Sequence, residues 1–147
     1  VLDVLQVNSA TGEAVENNAK WKRVENDLSG VLEGRVFIDK LLARRKTPSF
    51  MVKREKPRRP SRIDISNDVS DQYTVIDIYA HDRIGLLYDI TRTLTDLGLY
   101  IAVSKISTKV DQAADVFYVR DIFGQKIGQP EKLLKIEEDL LTCLETD

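Results

Sequence analysis

The stretch that decides the fold is AHDRIGLLYDITRTLTDLG, residues 80–98. A charged pair, Asp82 and Arg83, runs into Gly85 and then into a segment of helical period, where Leu86, Leu87, Ile90, Leu94 and Leu97 share one face. Asp89, Arg92, Thr93 and Asp96 point away from it. This spacing predicts a helix from Ile84 to Leu97. Asp82 is a natural N-cap for that helix, because a short carboxylate reaches the free N–H groups of a first turn. Gly98 is placed to end it in the left-handed conformation that glycine adopts without steric cost. On either side, YTVIDIYA (73–80) and YIAVSKIST (100–108) are β-branched and aromatic runs that read as strands.

The rest of the chain is organised by an internal repeat. Shifted by 112 residues, 1–35 aligns without a gap on 113–147, with ten of 35 positions identical. They are Asp3/Asp115, Val4/Val116, Val7/Val119, Gly12/Gly124, Lys20/Lys132, Glu25/Glu137, Asp27/Asp139, Leu28/Leu140, Leu32/Leu144 and Glu33/Glu145. Roughly two would match by chance, so the similarity marks two copies of one unit. Leu5/Phe117, Val15/Ile127, Trp21/Leu133 and Val24/Ile136 also stay apolar. In each copy a strand, DVLQV or DVFYVRDI, is followed by a Gly and then by apolar residues on one helical face. Those faces are Trp21, Val24, Leu28, Leu32 and Leu133, Ile136, Leu140, Leu144. Pro130 is tolerated in a first helical turn and places the second helix start near residue 130. RIDIS (62–66) supplies one more strand from upstream. Strand, helix, strand, strand, helix, with that extra strand, makes a four-stranded antiparallel sheet carrying two helices on one face. The fold class is α+β, a ferredoxin-like sandwich. The first copy has only its latter half, and its helix is predicted over 18–42.

Composition limits the function classes. With 42% hydrophobic and 31% charged residues and no apolar run near the ~20 residues that cross a membrane, the expectation is a soluble, cytoplasmic protein. The start, Val-Leu-Asp-Val, has no Met and no secretory pattern and looks like part of something longer. One Cys and one His exclude an internal disulfide and a Cys/His zinc set. The net charge of -2 hides nine basic residues and one acid in 43–62, leaving 13 basic against 23 acidic residues elsewhere. With Pro48, Pro57 and Pro60 and only one aromatic, Phe50, that run reads as a solvated linker rather than a nucleic-acid surface.

The segment 73–127, with its Asp82–Leu87 turn and the pattern KISTK, ADVFYV and G-x-K-I, resembles an ACT domain, a ferredoxin-like regulatory module that binds amino acids. Within that family it is most similar to the second of the two ACT domains that end bacterial PII uridylyltransferase/uridylyl-removing enzymes. The resemblance implies the latter half of a first ACT domain at 1–42, a basic linker at 43–61 and a second ACT domain at 62–147. It also implies glutamine or another amino acid as ligand, PII as partner of a parent enzyme that uses magnesium, and pairing between ACT domains or in a homodimer. An ACT segment of another enzyme, such as a stringent-response synthetase, is the competing parent; a partner- or nucleic-acid-binding module working through the basic run is the competing class. The family turn commonly has Pro where Ile84 stands.

Asp82, Arg83, Gly85, Leu86 and Leu87 are the candidate ligand residues. Gly85 admits a ligand to the backbone, and the N–H groups of a helix start favour a carboxylate. The plainer reading leaves Asp82 a cap and Arg83 paired with an acid on a neighbouring strand. His81-Asp82 resembles a metal-phosphohydrolase pair, but further His ligands are absent, and so is the Gly-Ser and paired carboxylates of a nucleotidyltransferase. No catalytic residue, metal ligand or cofactor is expected in this segment. The strand ADVFYVRDI is apolar on both faces, with Phe117 and Val119 on one and Val116 and Tyr118 on the other.

Overall fold

The computed structural model describes residues 16–45, 60–109 and 112–145. The chain divides into two compact units, 1–47 and 48–147, with the boundary inside the basic run. Residues 1–15, with the predicted strand DVLQV and Gly12, and most of the basic run, 46–59, lie outside the described residues.

The first unit contains α1 (Asn18–Leu32) and α2 (Ile38–Arg45). The single helix expected over 18–42 is therefore broken. Gly34 takes φ 70°, and the N–H groups of Arg35 and Val36 both return to the carbonyl of Gly30, at 2.8 and 2.9 Å. A chain that spends its donors in that way cannot continue the helical ladder. Asn17 caps α1 through Oδ1, which accepts the N–H of Lys20 at 3.1 Å.

The second unit contains β1 (Arg62–Ser66), β2 (Thr74–His81), α3 (Leu86–Asp96), β3 (Tyr100–Lys105), β4 (Thr108–Lys109), β5 (Gln112–Arg120) and α4 (Pro130–Glu145). The strands lie in the order β1-β2-β5-β3, all antiparallel, and the two-residue β4 continues along β5. The strand expected over 100–108 is thus two pieces, with an irregularity near Ala102 and a break at Ile106–Ser107. Both helices cover one face of the sheet, α3 beside β3 and α4 beside β1. This is the α+β ferredoxin-like sandwich.

Register explains which residues bury. Thr74, Ile76, Ile78 and Ala80 of β2 face Val119, Phe117, Asp115 and Ala113 of β5, and all eight are buried. From the helices, Leu86, Ile90, Leu94, Ile136 and Leu140 close the core, with Leu133 and Leu144 packed at its margin. α3 ends as expected. Gly98 has φ 71°, its N–H donates to Thr95 O at 2.9 Å, and Leu99 N–H reaches Leu94 O at 3.0 Å, the two bonds of a Schellman cap. On the open face Tyr118 is half-buried, standing edge-on to Tyr73 with Lys105 over its ring.

Ile136 has no exposed surface. Replacing it by Ala removes buried methyl groups and leaves a cavity, costing about 2–5 kcal/mol. Denaturant unfolding of the sheet-containing unit should show its midpoint falling accordingly, with the slope unchanged.

Candidate functional site

The turn between β2 and α3 differs from its expected form in a way that matters chemically. β2 runs on to His81, so Asp82, Arg83 and Ile84 are used to reverse the chain, and the helix begins only at Leu86. The N-cap is Gly85, at φ 90° and ψ -3°, and no side chain caps the helix. Asp82 is exposed and lies too far back along the chain for the capping role that its type favours. Leu86 N–H donates to Arg83 O at 3.1 Å and Asp89 N–H to Gly85 O at 2.9 Å. The N–H groups of Leu87 and Tyr88, between them, donate to no atom of the described residues. An uncapped first turn presents partial positive charge and free donors together.

The five predicted site residues separate into different roles. Gly85 forms the turn. Leu86 is 3% exposed and its side chain belongs to the core, leaving only its backbone at the loop. Leu87 is 42% exposed and stands at the rim, not on the buried face where the helical spacing puts it. Arg83 turns back into the protein: Nη1 pairs with Asp89 Oδ2 at 2.5 Å, and Nη2 donates to the Cys143 carbonyl at 3.1 Å. Its partners are a helix residue and a helix carbonyl, whereas the sequence suggested an acid on a strand. Arg83 therefore ties the turn to α3 and to the last turn of α4, where a cation also favours the exposed carbonyls.

A residue absent from the expected set lies at the same end of the sheet. Asp115 is 2% exposed and faces the core. Its Oδ1 accepts the N–H of Ser107 at 3.1 Å, and no cation pairs with it among the described residues. Burial pushes its carboxyl pKa up; the Ser107 N–H opposes this, and the charge of Asp82 adds to the rise. The alternation of ADVFYV carried the signal, since Asp115 shares parity with Phe117 and Val119.

Among the described residues no group of three or more His, Cys, Asp or Glu could hold a metal ion. No described helix is long and apolar enough to cross a membrane. An open depression of about 560 Å³ lies at the opposite end of the sheet, lined by Tyr73, Tyr100, Arg120 and Ile122 among others.

The sandwich defines a small ferredoxin-like α+β domain, and comparison with known proteins identifies its family. The family of ACR9-like, ACT-like domains matches residues 62–146, so the chain belongs to the ACT-like domain family. Over nearly its whole length the chain is similar to bifunctional uridylyltransferase/uridylyl-removing enzymes. It is 42% identical to that of Azospirillum brasilense over 144 residues, 97% of this chain and 15% of the relative. The Rhodospirillum rubrum enzyme is 36% identical over 139 residues, 95% of this chain and 15% of the relative. That of Gluconobacter oxydans is 35% identical over 143, with 97% and 15% covered. The chain thus spans about 15% of the length of these relatives, and the matched segment is an ACT-like regulatory domain, not a catalytic one. No solved structure matches it.

Two outcomes test the local chemistry. Arg83→Ala removes a largely buried ion pair and a hydrogen bond to a carbonyl, and should cost about 1–3 kcal/mol in denaturant unfolding. Asp115 holds its proton more tightly folded than unfolded, so its contribution to stability falls as pH rises from the ordinary Asp range through its raised folded value, and is constant above that. Melting curves of the wild type and Asp115→Asn across acid pH should therefore converge at the acid end. The variant should gain on the wild type as pH rises through that window.

Proposed function

We propose that this chain is an amino-acid-sensing regulatory region, with glutamine as its ligand, that controls attachment and removal of UMP on the nitrogen-regulatory protein PII by catalytic domains of the same polypeptide. The observation that carries the reading is the uncapped start of α3. Gly85 brings the backbone within reach of a ligand, and the Leu87 and Tyr88 N–H groups are free to receive an α-carboxylate. The names of the similar enzymes supply the two activities that such a sensor would bias. In this reading 1–42 is the latter half of a first ACT domain, 43–61 a linker and 62–147 a second ACT domain. The setting is cytoplasmic, and ACT domains pair with one another to complete the assembly.

Sensing of this kind requires that glutamine bind one arrangement of the parent's domains better than the other, since a ligand shifts an equilibrium only by its differential affinity. Asp82, Gly85 and Leu87 border the site; Arg83 and Leu86 act through the shape of the turn.

Calorimetric titration of glutamine into the full-length protein, with glutamate and other amino acids as controls, should show selective binding. Gly85→Val places a β-branched residue at φ 90°, a conformation costing such residues about 1–2 kcal/mol, and fills the approach to the backbone. It should abolish binding while the circular dichroism of the sheet is kept. Undiminished glutamine binding by that variant would show that the turn is not the site.

A further inference from the structure

We propose that Asp115 is the residue that recognises the α-ammonium group of the ligand, making the site selective for amino acids over other carboxylates; this rests on the amino-acid-binding function proposed above. Four observations converge on it. Asp115 occupies a core-facing position of β5 opposite Ile78, where its neighbours on the same face, Ala113 and Phe117, are apolar. A carboxylate placed there is costly unless something compensates it.

The compensation within the protein is partial. Oδ1 has the Ser107 N–H, while Oδ2 accepts no hydrogen bond from the described residues. The residue as a whole is 2% exposed. The charge that acts on its carboxyl is the like charge of Asp82. Two carboxylates with no cation between them attract a positive group, and the described residues provide too few ligands for a metal ion. An ammonium needs fewer partners and fits the pair.

The position also joins the two ends of a zwitterion. Asp115 lies toward the start of β5, where that strand runs beside the end of β2, and Asp82 follows β2 directly. The turn then leads to the free N–H groups at the start of α3. Donors for a carboxylate and acceptors for an ammonium thus belong to one end of the sandwich. The sequence repeat supplies a separate argument: Asp3 stands where Asp115 stands in the second copy, whereas the flanking core-parity pairs Leu5/Phe117 and Val7/Val119 are apolar. An aspartate kept in both copies at an apolar position has a use that packing does not supply.

The test compares glutamine with 4-carbamoylbutanoate, which is the same molecule without the ammonium, on the full-length wild type and Asp115→Asn. Asn keeps an oxygen for the Ser107 N–H and the shape of the side chain, so melting should show the fold intact. Glutamine affinity of the variant should fall on the order of 10- to 100-fold, as for loss of a hydrogen-bonded charge, while affinity for the analogue is unchanged. Glutamine and the analogue should then bind the variant alike. Equal loss of both ligands would show a structural role, and unaltered glutamine binding would show none; either overturns the assignment and leaves the amino-acid reading standing. Failure of the wild type to bind glutamine would overturn that reading itself.

Discussion

Everything in the second unit depends on a sheet that has one face to hide and two helices to hide it. Phe117 and Ile76, paired across β5 and β2, lie at the centre with no exposed surface, and Ile90, Leu94, Ile136 and Leu140 meet them from α3 and α4. Burial of this kind supplies most of the driving force for a small domain. It also fixes register, because sliding a strand by one residue would carry Phe117 to the open face and Tyr118 inward. Once register is fixed, the positions of the turn at one end and of the two buried polar residues follow.

Those two polar residues are handled in opposite ways. Thr74, at the start of β2, donates through Oγ1 to Asn67 Oδ1 at 2.7 Å and accepts the Ile127 N–H at 2.9 Å, and Asn67 Nδ2 returns to the Ile127 carbonyl at 2.9 Å. The ring of bonds is closed, and it clamps the β1–β2 connection to the segment before α4. Asp115, at the other end, has one partner among the described residues for a group that can accept about four hydrogen bonds. One buried network is complete, and among the described residues the other is not.

Much of this was legible in the sequence. The repeat located α4 and α1 correctly, and both begin at equivalent positions, Asn18 and Pro130, with the N–H of Trp21 and of Leu133 returning to the carbonyl of the residue just before each start. Gly98 was legible because a left-handed residue closing a helix leaves few alternatives to glycine. The helix start was not, since Asp82 has the right chemistry for a cap and only the length of β2 decides against it. The break after α1 was missed although Phe37 lies five positions after Leu32, which takes Phe37 and Leu41 off the stripe of α1. Asp115 was visible by parity alone, and parity becomes decisive only when it is known which face the helices cover.

The repeat also separates what a helix carries in its sequence from what its surroundings supply. α4 and α1 present the same stripe, yet Ile136 and Leu140 are fully buried while Val24 and Leu28 are 53% and 54% exposed. Nothing in the helices accounts for the difference, since both are capped or begun in similar ways and bear the same spacing of apolar residues. α4 has β1 in front of it. Among the described residues of its own unit α1 has no strand to cover, and at its Gly30 an added Cβ would come within 2.7 Å of Val36 Cγ2. An amphipathic stripe is thus a statement about a partner surface, and it becomes a core only where a sheet of matching apolar face lies against it.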